Sequence, residues 1–377
     1  MAFTVGVPKE TAPGERRVAI VPEVAARLVK DGLAVAVEAG AGAEAFHPDD
    51  AYREAGARLV STADAWAADL VAKVQPPSDA EIAHLPGGNA LIGFLAPLDE
   101  PAIAEKLAAR NVTALAMELV PRISRAQKMD ALSAMASLAG YKAVLVAANR
   151  LPKFFPLLTT AAGTIRPANA LVLGAGVAGL QAIATARRLG ARVSAYDIRD
   201  VVREEVQSLG AQFVELELDI AGMQDEGGYA KALMAEKAKQ QTQLLVPHIA
   251  KADVVITTAL IPGRPAPLLI TEEAVAGMAP GSVVIDLAAP NGGNCALTVP
   301  GETIDQGGVQ IAGPLNLPAE MPVHASQLYA RTVMAMIQEF ATPEGLKTDF
   351  EDDIFQGACV AHEGRVVHER VKSLLAA

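Results

Sequence analysis

Nine residues decide the fold: Leu171-Val-Leu-Gly174-Ala-Gly176-Val-Ala-Gly179. They complete an apolar strand pattern and open a helical pattern that ends at Arg188-Leu-Gly190. In a strand–turn–helix of this kind the first glycine permits a tight turn, the second lets the backbone approach a pyrophosphate, and the third allows close packing of helix on strand. Amides at the start of the helix then hold the phosphates. The stretch therefore predicts a dinucleotide-binding unit.

The end of the next strand indicates which dinucleotide is bound. Asp197 follows the strand pattern Arg192–Tyr196 and lies 23 residues after Gly174. A carboxylate at this place accepts hydrogen bonds from the ribose hydroxyls of NAD and repels the 2′-phosphate of NADP. Arg199, two residues later, is the one nearby feature that would suit NADP. We therefore predict NAD binding, with a glycine-rich turn that binds no ligand as the alternative.

Strand and helix patterns alternate on both sides of this unit. The series that begins with the nine residues matches a doubly wound Rossmann sheet. Its predicted strands are Ala170–Leu173, Arg192–Tyr196, Gln212–Glu215, Val254–Thr258, Val283–Asp286 and Val309–Ala312. An earlier series predicts another largely parallel α/β sheet. Its predicted strands are Phe3–Pro8, Ala34–Glu38, Leu70–Val74, Ala90–Leu95 and Thr113–Met117, with helices over Glu23–Asp31 and Pro101–Arg110.

The C-terminal part turns helical over His324–Ala341 and closes with a tail, Thr342–Glu369, that we expect to be irregular and acidic. We expect the last helix to return to the first domain. The sequence thus predicts an α/β protein of two domains with parallel-type sheets, separated by a cleft. The first is a discontinuous N-terminal domain over residues 1–132 and 321–377, and the second is a Rossmann NAD(H)-binding domain over residues 133–320.

Composition excludes several classes of protein. The 377 residues carry 32 Lys and Arg against 43 Asp and Glu, a net charge of −11, and 51% of them are hydrophobic. Such a chain buries a sizeable core, and its acidity argues against nucleic acid as a partner. Two cysteines, Cys295 and Cys359, exclude a disulfide scaffold and fit a reducing compartment.

No stretch predicts export or a membrane span. Met1–Glu10 lacks the basic start and apolar core of a signal peptide. Ala168–Ala186 is uncharged and about as long as a bilayer crossing, but its three glycines fit a strand, a turn and a helix better. We therefore expect a soluble chain.

Catalytic groups are hard to find in the sequence. No HExxH, CxxC or GxSxG occurs and the six histidines form no metal-binding pair, so we predict no metal site and see no general base. The stretch Arg122-Ile-Ser-Arg125-Ala-Gln127-Lys-Met-Asp130 has two interpretations. Ser124 and Gln127 fit a helix capping box, with Asp130 as a solvated charge. Alternatively, Arg122, Gln127 and Asp130 face a nicotinamide across the cleft.

Charged residues near the N-terminus also have two interpretations. They are Lys9-Glu10, Glu15-Arg16-Arg17 and Lys73. Their cations could clamp a carboxylate substrate, but solvated charges are the simpler expectation.

Longer motifs make the chain similar to the alanine dehydrogenase/transhydrogenase superfamily. Within it, the chain most resembles the NAD(H)-binding components (domain I, alpha-1 subunit type) of proton-translocating NAD(P)+ transhydrogenases. The motifs span nearly the whole chain: GVPKE (Gly6–Glu10), ERRVAIVP (Glu15–Pro22), MELVPRISRAQKMDALS (Met117–Ser133), LAGYKAV (Leu138–Val144), DEGGYAK (Asp225–Lys231), ITTALIPGRPAP (Ile256–Pro267), DLAAPNGGN (from Asp286) and MPVHASQLYA (Met321–Ala330).

The resemblance implies a homodimer and a set of site residues. Arg122, Gln127 and Asp130 match a catalytic loop beside the nicotinamide. The other residues implied to bind the cofactor are Ile123, Ser124, Arg125 and Ser133 near that loop; Gly174, Gly176, Val177, Gly179, Asp197, Ile198 and Arg199 on the pyrophosphate and adenosine side; Gly228 and Tyr229 on a mobile loop; and Leu260 after the fourth strand. The adjacent glycines beside Tyr229 also predict, by themselves, a surface loop that can move.

Two departures separate the chain from alanine dehydrogenases, which carry a catalytic histidine where Ala96 stands here and a catalytic aspartate where Pro290 stands. Arg17 and Lys73, which match the carboxylate clamp of those enzymes, remain. Neither Ala96 nor Pro290 can exchange a proton, which oxidative deamination requires. Hydride transfer between two nicotinamides requires only proximity and orientation. Transhydrogenation is therefore expected, with an alanine dehydrogenase-type enzyme and a non-catalytic NAD sensor as alternatives.

Partners follow from the same resemblance. The chain has one clear dinucleotide fingerprint, so NADP(H) is expected on a partner subunit. Proton translocation is expected in a membrane-spanning subunit. The chain would then be cytoplasmic, peripheral to the inner membrane through its complex.

Overall fold

The computed structural model describes residues 2–216, 228–261 and 263–376, without the side chains of residues 228–235. The chain divides into two compact units, the first formed by Met1–Met135 with Pro318–Ala377 and the second by Ala136–Leu317. Each unit is built on a sheet of mainly parallel strands with helices between them, so the predicted α/β class is confirmed. The domain boundaries drawn from the sequence stay a prediction.

The sheet of the first unit has eight strands. In spatial order they are Arg365–Val366, Cys359–His362, Thr113–Ala116, Ala90–Gly93, Leu70–Ala72, Thr4–Val7, Ala34–Glu38 and Arg58–Val60. The six from Thr113–Ala116 onward pair in parallel, as expected for strands joined by helices. The helices are Pro22–Lys30, Asp49–Glu54, Thr62–Trp66, Asp79–Ile82, Ala102–Ala109, Pro322–Phe340, Asp353–Ala358 and Glu369–Leu375.

The prediction of an irregular C-terminal tail is wrong. Cys359–His362 pairs antiparallel with Thr113–Ala116 and carries Arg365–Val366 on its outer side. Val360 and Ala361 are fully buried in this pairing. The strand is four residues long and lies in an acidic segment, so its apolar pattern is too short to show in the sequence.

Among the described residues, the sheet of the second unit has seven strands. In spatial order they are Gln212–Phe213, Arg192–Tyr196, Asn169–Leu173, Val254–Thr257, Val283–Asp286, Val309–Ala312 and Thr303–Gln306. Six of them were predicted. The seventh, Thr303–Gln306, pairs antiparallel through a turn at Gly307-Gly308. It was missed because three of its four side chains are polar and exposed.

Both faces of this second sheet are buried. Val172, Ile256 and Ile285 belong to one apolar cluster, whereas their strand neighbours Leu171 and Val255 belong to another. Successive side chains of a strand point to opposite faces, so the continuous apolar runs follow from helices on both sides. The helices are Ala131–Arg150, Val177–Arg188, Arg203–Ser208, Gly228–Ile249 and Glu272–Ala276, and a separate hairpin pairs Leu158–Thr160 with Gly163–Ile165.

One helix within the described residues, Ala131–Arg150, is long and apolar enough to cross a membrane, judged by length and composition alone. Its Gly140 lies against the backbone of Ala178, where a Cβ atom would come within 2.0 Å of the carbonyl oxygen. The helix therefore packs closely on the start of Val177–Arg188. The run Ala168–Ala186 forms the predicted strand, turn and helix.

Candidate functional site

The fingerprint turn uses its three glycines in different ways. Gly174 has a φ of +98°, and a Cβ atom there would lie 2.6 Å from Oγ1 of Thr258. A Cβ atom on Gly179 would lie 1.8 Å from the carbonyl oxygen of Gly174. A Cβ atom on Gly176 would meet nothing within 4 Å. Two glycines are thus required by the protein's own packing, whereas the third leaves space in front of the backbone.

The helix behind this turn begins without a side-chain cap. Gly176 is the N-cap residue of Val177–Arg188 and has no side chain that could accept a hydrogen bond from the first amides. Amides at a helix start, with the positive end of the helix dipole, favour an anion such as a phosphate. Val177 itself is exposed. The open space at Gly176 and the uncapped amides fit the pyrophosphate of a dinucleotide.

Asp197 lies next to this turn, as the spacing predicts. Its Oδ2 accepts a hydrogen bond from the amide of Ala175 at 2.7 Å, which joins the second strand end to the fingerprint. Both carboxylate oxygens also accept hydrogen bonds from the guanidinium of Arg199, at 3.0 and 2.9 Å. Burial raises the pKa of Asp197, but the hydrogen bonds from Arg199 and Ala175 outweigh it and bring the pKa below its usual value. Asp197 is therefore an ionised acceptor at neutral pH, and Arg199 is its partner.

Two buried residues that the sequence analysis did not single out organise the next strand ends. Asp286 accepts hydrogen bonds from the hydroxyls of Thr257 and Thr298 and from the amide of Asn294. The side chain of Asn294 in turn bonds both the amide and the carbonyl of Ala259. This network fixes the backbone immediately before Leu260, whose side chain is half exposed. An aspartate that directly ends an apolar strand pattern, as Asp286 does in Val283–Asp286, is the sequence feature that could have indicated it.

The loop predicted to face the nicotinamide forms a short 3-10 helix, Ser124–Met129. Ala126 and Met129 are buried on its inner face, whereas Arg122, Ser124 and Gln127 are exposed. The loop thus presents polar side chains on a surface that is anchored from below.

The capping box that we considered for this loop is not formed. The N-cap of the 3-10 helix is Ile123, without a side-chain hydrogen bond, so Ser124 already lies inside the helix. Asp130 makes the cap instead, for the following helix Ala131–Arg150. Its carboxylate accepts hydrogen bonds from the amide and the hydroxyl of Ser133, at 2.8 and 2.6 Å. Asp130 is therefore a half-buried helix cap, because a carboxylate at a helix N-terminus satisfies otherwise unpaired amides.

For some of the residues predicted to bind the cofactor, the structure describes no side-chain contact that bears on that role. The predicted loop Met223–Tyr229 lies mostly outside the described residues, and the side chain of Tyr229 lies outside them too. The helix that follows begins at Gly228, so the backbone of Gly228 and Tyr229 is helical and the prediction that the loop extends over them is wrong. Ile198 is exposed beside Asp197. Within the described residues, no group of three or more His, Cys, Asp and Glu side chains is placed to hold a metal ion.

The N-terminal charges form a buried cluster in the first unit, so the expectation of solvated charges is wrong for Arg17 and Lys73. Arg17 is 4% exposed and pairs with both oxygens of Glu15, at 2.8 and 2.6 Å. Lys73 is 1% exposed and lies 2.8 Å from Glu81 and 3.2 Å from Glu10. Buried charges require such partners because desolvation is costly.

The carboxyls of this cluster differ in acidity. Burial raises the pKa of Glu15, but the bonds from Arg17 and Gln75 outweigh it and bring the pKa to about 2. Burial raises the pKa of Glu10 above its usual value despite the nearby Lys73. Glu15 is thus ionised, and Glu10 is the weaker acid of the two.

Glu118 lies at the neighbouring strand end and was also missed by the sequence analysis. Its Oε1 accepts hydrogen bonds from the amides of Leu95 and Ala96. Its Oε2 is buried without a hydrogen-bond partner among the described residues. Burial raises the pKa of Glu118 to about 7, against the lowering by those amides. The carboxyl therefore titrates near neutrality.

Comparison with known proteins assigns the family. The model of the alanine dehydrogenase/PNT N-terminal domain matches residues 6–139, and that of the alanine dehydrogenase/PNT C-terminal domain matches residues 143–369. The chain belongs to the alanine dehydrogenase/PNT family. The resemblance inferred from the motifs is confirmed.

Individual relatives come from both branches of the family. The chain is 46% identical to an NAD(P) transhydrogenase alpha subunit chain of Rhodospirillum rubrum, over 97% of each chain. It is 31% identical to the alanine dehydrogenase of Mycobacterium tuberculosis, over 97% of this chain and 95% of that one. A crystal structure of transhydrogenase from Sinorhizobium meliloti matches with a TM-score of 0.88 at 44% identity, covering 97% of this chain and 100% of that one. Similarity is thus greater to the transhydrogenase branch.

Proposed function

We propose that the chain is the NAD(H)-binding subunit of a proton-translocating NAD(P)+ transhydrogenase. The observation that carries the proposal is the full-length similarity to transhydrogenase alpha subunits, at 46% identity for the Rhodospirillum rubrum protein. In this reaction a hydride passes directly from NADH on this chain to NADP+ on a partner subunit.

The nucleotide site proposed here is the carboxyl edge of the second sheet. Gly174, Gly176 and Gly179 shape the turn that receives the pyrophosphate, and the helix start at Val177 supplies amides. Asp197 accepts the ribose hydroxyls, with Ile198 and Arg199 beside the adenosine. Leu260 lies against the nicotinamide end. The support is geometric, since Gly176 leaves the space that a phosphate needs.

The transfer loop is assigned to Arg122, Gln127 and Asp130. Arg122 and Gln127 are exposed and can bond the carboxamide and ribose of the nicotinamide. Asp130 caps the following helix through Ser133, which fixes the end of the loop. Ile123 and Ser124 complete the proposed set, whereas Arg125 pairs with Asp352 and Glu339 of its own chain. These groups orient the ring and exclude water, which is the whole requirement for moving a hydride between two carbon atoms.

Ala96 and Pro290 stand at the two positions where alanine dehydrogenases carry their catalytic histidine and aspartate. Their presence supports transhydrogenation over oxidation of an amino acid. Ala96 holds a positive φ of 51° and uses its amide to bond Glu118. Pro290 lies in a 3-10 helix, Ala289–Asn291. Neither side chain can transfer a proton. A direct hydride transfer requires none.

The proposed complex contains further chains. NADP(H) is held by a partner subunit, a membrane-spanning subunit translocates protons, and the present chain lies on the cytoplasmic side of the inner membrane. A homodimer is part of the proposal. The hairpin Leu158–Thr160/Gly163–Ile165 supports it, because Leu157 and Ile165 expose apolar surface there and two strands alone are marginally stable.

The decisive experiment measures hydride exchange between NADH on this protein and NADP+ on a separately purified NADP(H)-binding subunit. We expect rapid exchange that requires the partner. Gln127→Asn should slow it at least tenfold with little change in NADH affinity, since the amide is withdrawn by one methylene from the transfer site. Gln338→Asn, the same change on an exposed helix face, is the matched control. No exchange with the partner would refute the proposal.

Alanine dehydrogenase activity is the second candidate, favoured by the 31% identity to the Mycobacterium tuberculosis enzyme. The same protein is therefore incubated with alanine and NAD+ without a partner. Reduction of NAD+ under these conditions would replace the first proposal by the second. Tyr229→Phe tests the remaining assignment. If the Tyr229 hydroxyl contacts the bound nucleotide, its removal should lower NADH affinity.

A further inference from the structure

The loop Arg122–Asp130 is tied to the C-terminal region of the first unit. Nη2 of Arg125 donates to both oxygens of Asp352, at 2.8 and 2.7 Å, and Nη1 donates to Glu339 at 3.1 Å. Nζ of Lys128 lies 3.4 Å from the other oxygen of Glu339. The two Nη atoms of Arg125 thus bridge two carboxylates, and charge-assisted hydrogen bonds of this kind are stronger than those between neutral groups.

Asp352 is itself held rigidly. Its Oδ1 accepts hydrogen bonds from the amides of Ile354 and Phe355 and so caps the helix Asp353–Ala358. Phe355 is fully buried, with its ring 5.3 Å from that of Phe340 and 5.2 Å from that of Phe350. The acceptor for Arg125 is thus anchored in the core.

The helix Asp353–Ala358 also restrains the start of the loop. A Cβ atom on Gly357 would lie 3.1 Å from Cδ of Pro121, the residue before Arg122. Below the loop, Ala126 and Met129 are buried. The loop is therefore held at its entry, along its inner face and at Arg125, while Arg122 and Gln127 remain on the outer face.

We propose that Arg125 is a positioning residue, which holds the loop through its bonds to Asp352 and Glu339 instead of binding the nucleotide. This proposal rests on the proposed function, because it is the hydride-transfer geometry of Arg122 and Gln127 that Arg125 would maintain. The guanidinium is already engaged by two carboxylates of its own chain. A displacement of about 1 Å at a transfer site can cost up to about a hundredfold in rate.

Arg125→Ala and Asp352→Asn test the proposal. Asparagine keeps the oxygen that caps the helix but loses the charge that binds Arg125. Each variant should slow single-turnover hydride transfer to partner-bound NADP+ about tenfold, with NADH affinity within about twofold of the wild type. The double variant should lose little more, because both changes break one connection. Lys106→Ala, which breaks an exposed ion pair with Asp79 on another helix, is the control that should leave transfer unchanged.

Hydrogen exchange gives a readout that requires neither partner nor hydride. Amides of residues 122–130 should exchange faster in Arg125→Ala and Asp352→Asn than in the wild type. Unchanged exchange would overturn the positioning role. Loss of NADH affinity in Arg125→Ala with an unchanged transfer rate per bound nucleotide would also overturn it, and would make Arg125 a nucleotide ligand. If the wild-type protein transfers no hydride at all, the proposed function fails, while the exchange experiment still decides the role of Arg125.

Discussion

The two sheets of this molecule differ at the edge where their parallel strands have their carboxyl ends. In the second unit this edge carries a glycine turn, an uncapped helix start and the half-exposed Leu260. In the first unit, strand ends in the same topological position carry Glu10, Lys73 and Glu118, whose charged groups are buried. Parallel topology thus provides a possible binding edge twice, and the local chemistry decides whether it is used.

The difference lies in where the charges find their partners. At the edge of the first unit, Arg17 and Lys73 pair with carboxylates of the same unit. At the edge of the second unit the buried Asp286 is satisfied in the same way, but Asp197 pairs with the exposed Arg199, and the first amides of Val177–Arg188 have no side-chain cap. We therefore expect substitutions at the first edge to change stability and substitutions at the second to change nucleotide binding.

The largest effect is expected at the fingerprint. Gly179→Ala places a methyl group on the carbonyl of Gly174 and should abolish NADH binding, measured by fluorescence titration, because the turn must open. Gly176→Ala has room for the methyl group in the protein itself. It should keep the wild-type free energy of unfolding and still weaken NADH binding at least tenfold, since the methyl occupies the place of the phosphate. Undiminished binding in Gly176→Ala would place the nucleotide elsewhere.

The next effect concerns the edge of the first unit. Glu15→Ala leaves the guanidinium of Arg17 buried beside an empty space, which should lower the free energy of unfolding by about 3–5 kcal/mol in urea titrations. Asp50→Ala removes an exposed partner of Arg53 and should cost less than about 1 kcal/mol. Both variants should bind NADH as the wild type does. If Glu15→Ala prevents folding, Glu15→Gln, which keeps an acceptor for Arg17, provides the milder comparison.

The pH dependence of the same pair follows from its pKa. The carboxyl of Glu15 titrates at about 2 in the folded protein, against 4.5 ordinarily. Its contribution to stability is therefore complete above about pH 4.5 and is lost as the pH falls toward 2. Glu15→Gln should lack this loss, and an identical acid unfolding profile would contradict the assignment.

Much of this architecture could be predicted because continuous apolar runs identify buried strands by themselves. Ala34–Glu38, Arg192–Tyr196 and Val283–Asp286 have the predicted bounds in the structure. The glycine turn was recognisable because the positive φ of Gly174 and the close contact of Gly179 with the carbonyl of Gly174 arise within a few residues of sequence. Sequence patterns within a few residues therefore predict individual strands and turns.

The rest depends on partners that are distant in sequence. Cys359–His362 becomes a strand because Thr113–Ala116 offers a free edge. Lys73 is buried because Glu10 and Glu81 reach it from other segments. In the loop, the helix cap expected at Ser124 is made by Asp130, six residues later. Sequence spacing did not predict these contacts.

A smaller effect than that of Glu15, and one that depends on pH, is expected at Glu118. The folded protein holds its proton up to about pH 7, whereas an unfolded chain releases it near 4.5. The raised pKa therefore lowers the stability of the wild type as the pH rises through this window. Glu118→Gln mimics the protonated carboxyl, so its stability advantage should grow from near zero at pH 4.5 to at most about 3 kcal/mol at pH 8. Unfolding in urea at both pH values measures it, and a difference independent of pH would contradict it.

The smallest effect in free energy is expected at Asp197, and it separates the two edges most sharply. Asp197→Asn keeps an oxygen for the amide of Ala175 but loses the charge that holds the guanidinium of Arg199. NADH affinity should fall about tenfold, the equivalent of one charge-assisted hydrogen bond of about 1.5 kcal/mol. NADPH affinity should rise, because the repulsion of a 2′-phosphate disappears and Arg199 becomes available to it.

Asp197→Asn should hardly change the free energy of unfolding, in contrast to Glu15→Ala. The Arg199 side chain is 55% exposed, and pairs with such an exposed partner contribute at most about 1 kcal/mol to folding. Titrations with NADH and NADPH test the predicted changes in nucleotide affinity, and a urea unfolding curve tests the predicted small change in the free energy of unfolding. If both nucleotides lose affinity equally, Asp197 supports the turn without selecting between them. If unfolding changes as much as in Glu15→Ala, the two edges do not differ in the way their charges indicate, and the carboxylate of Asp197 is as structural as that of Glu15.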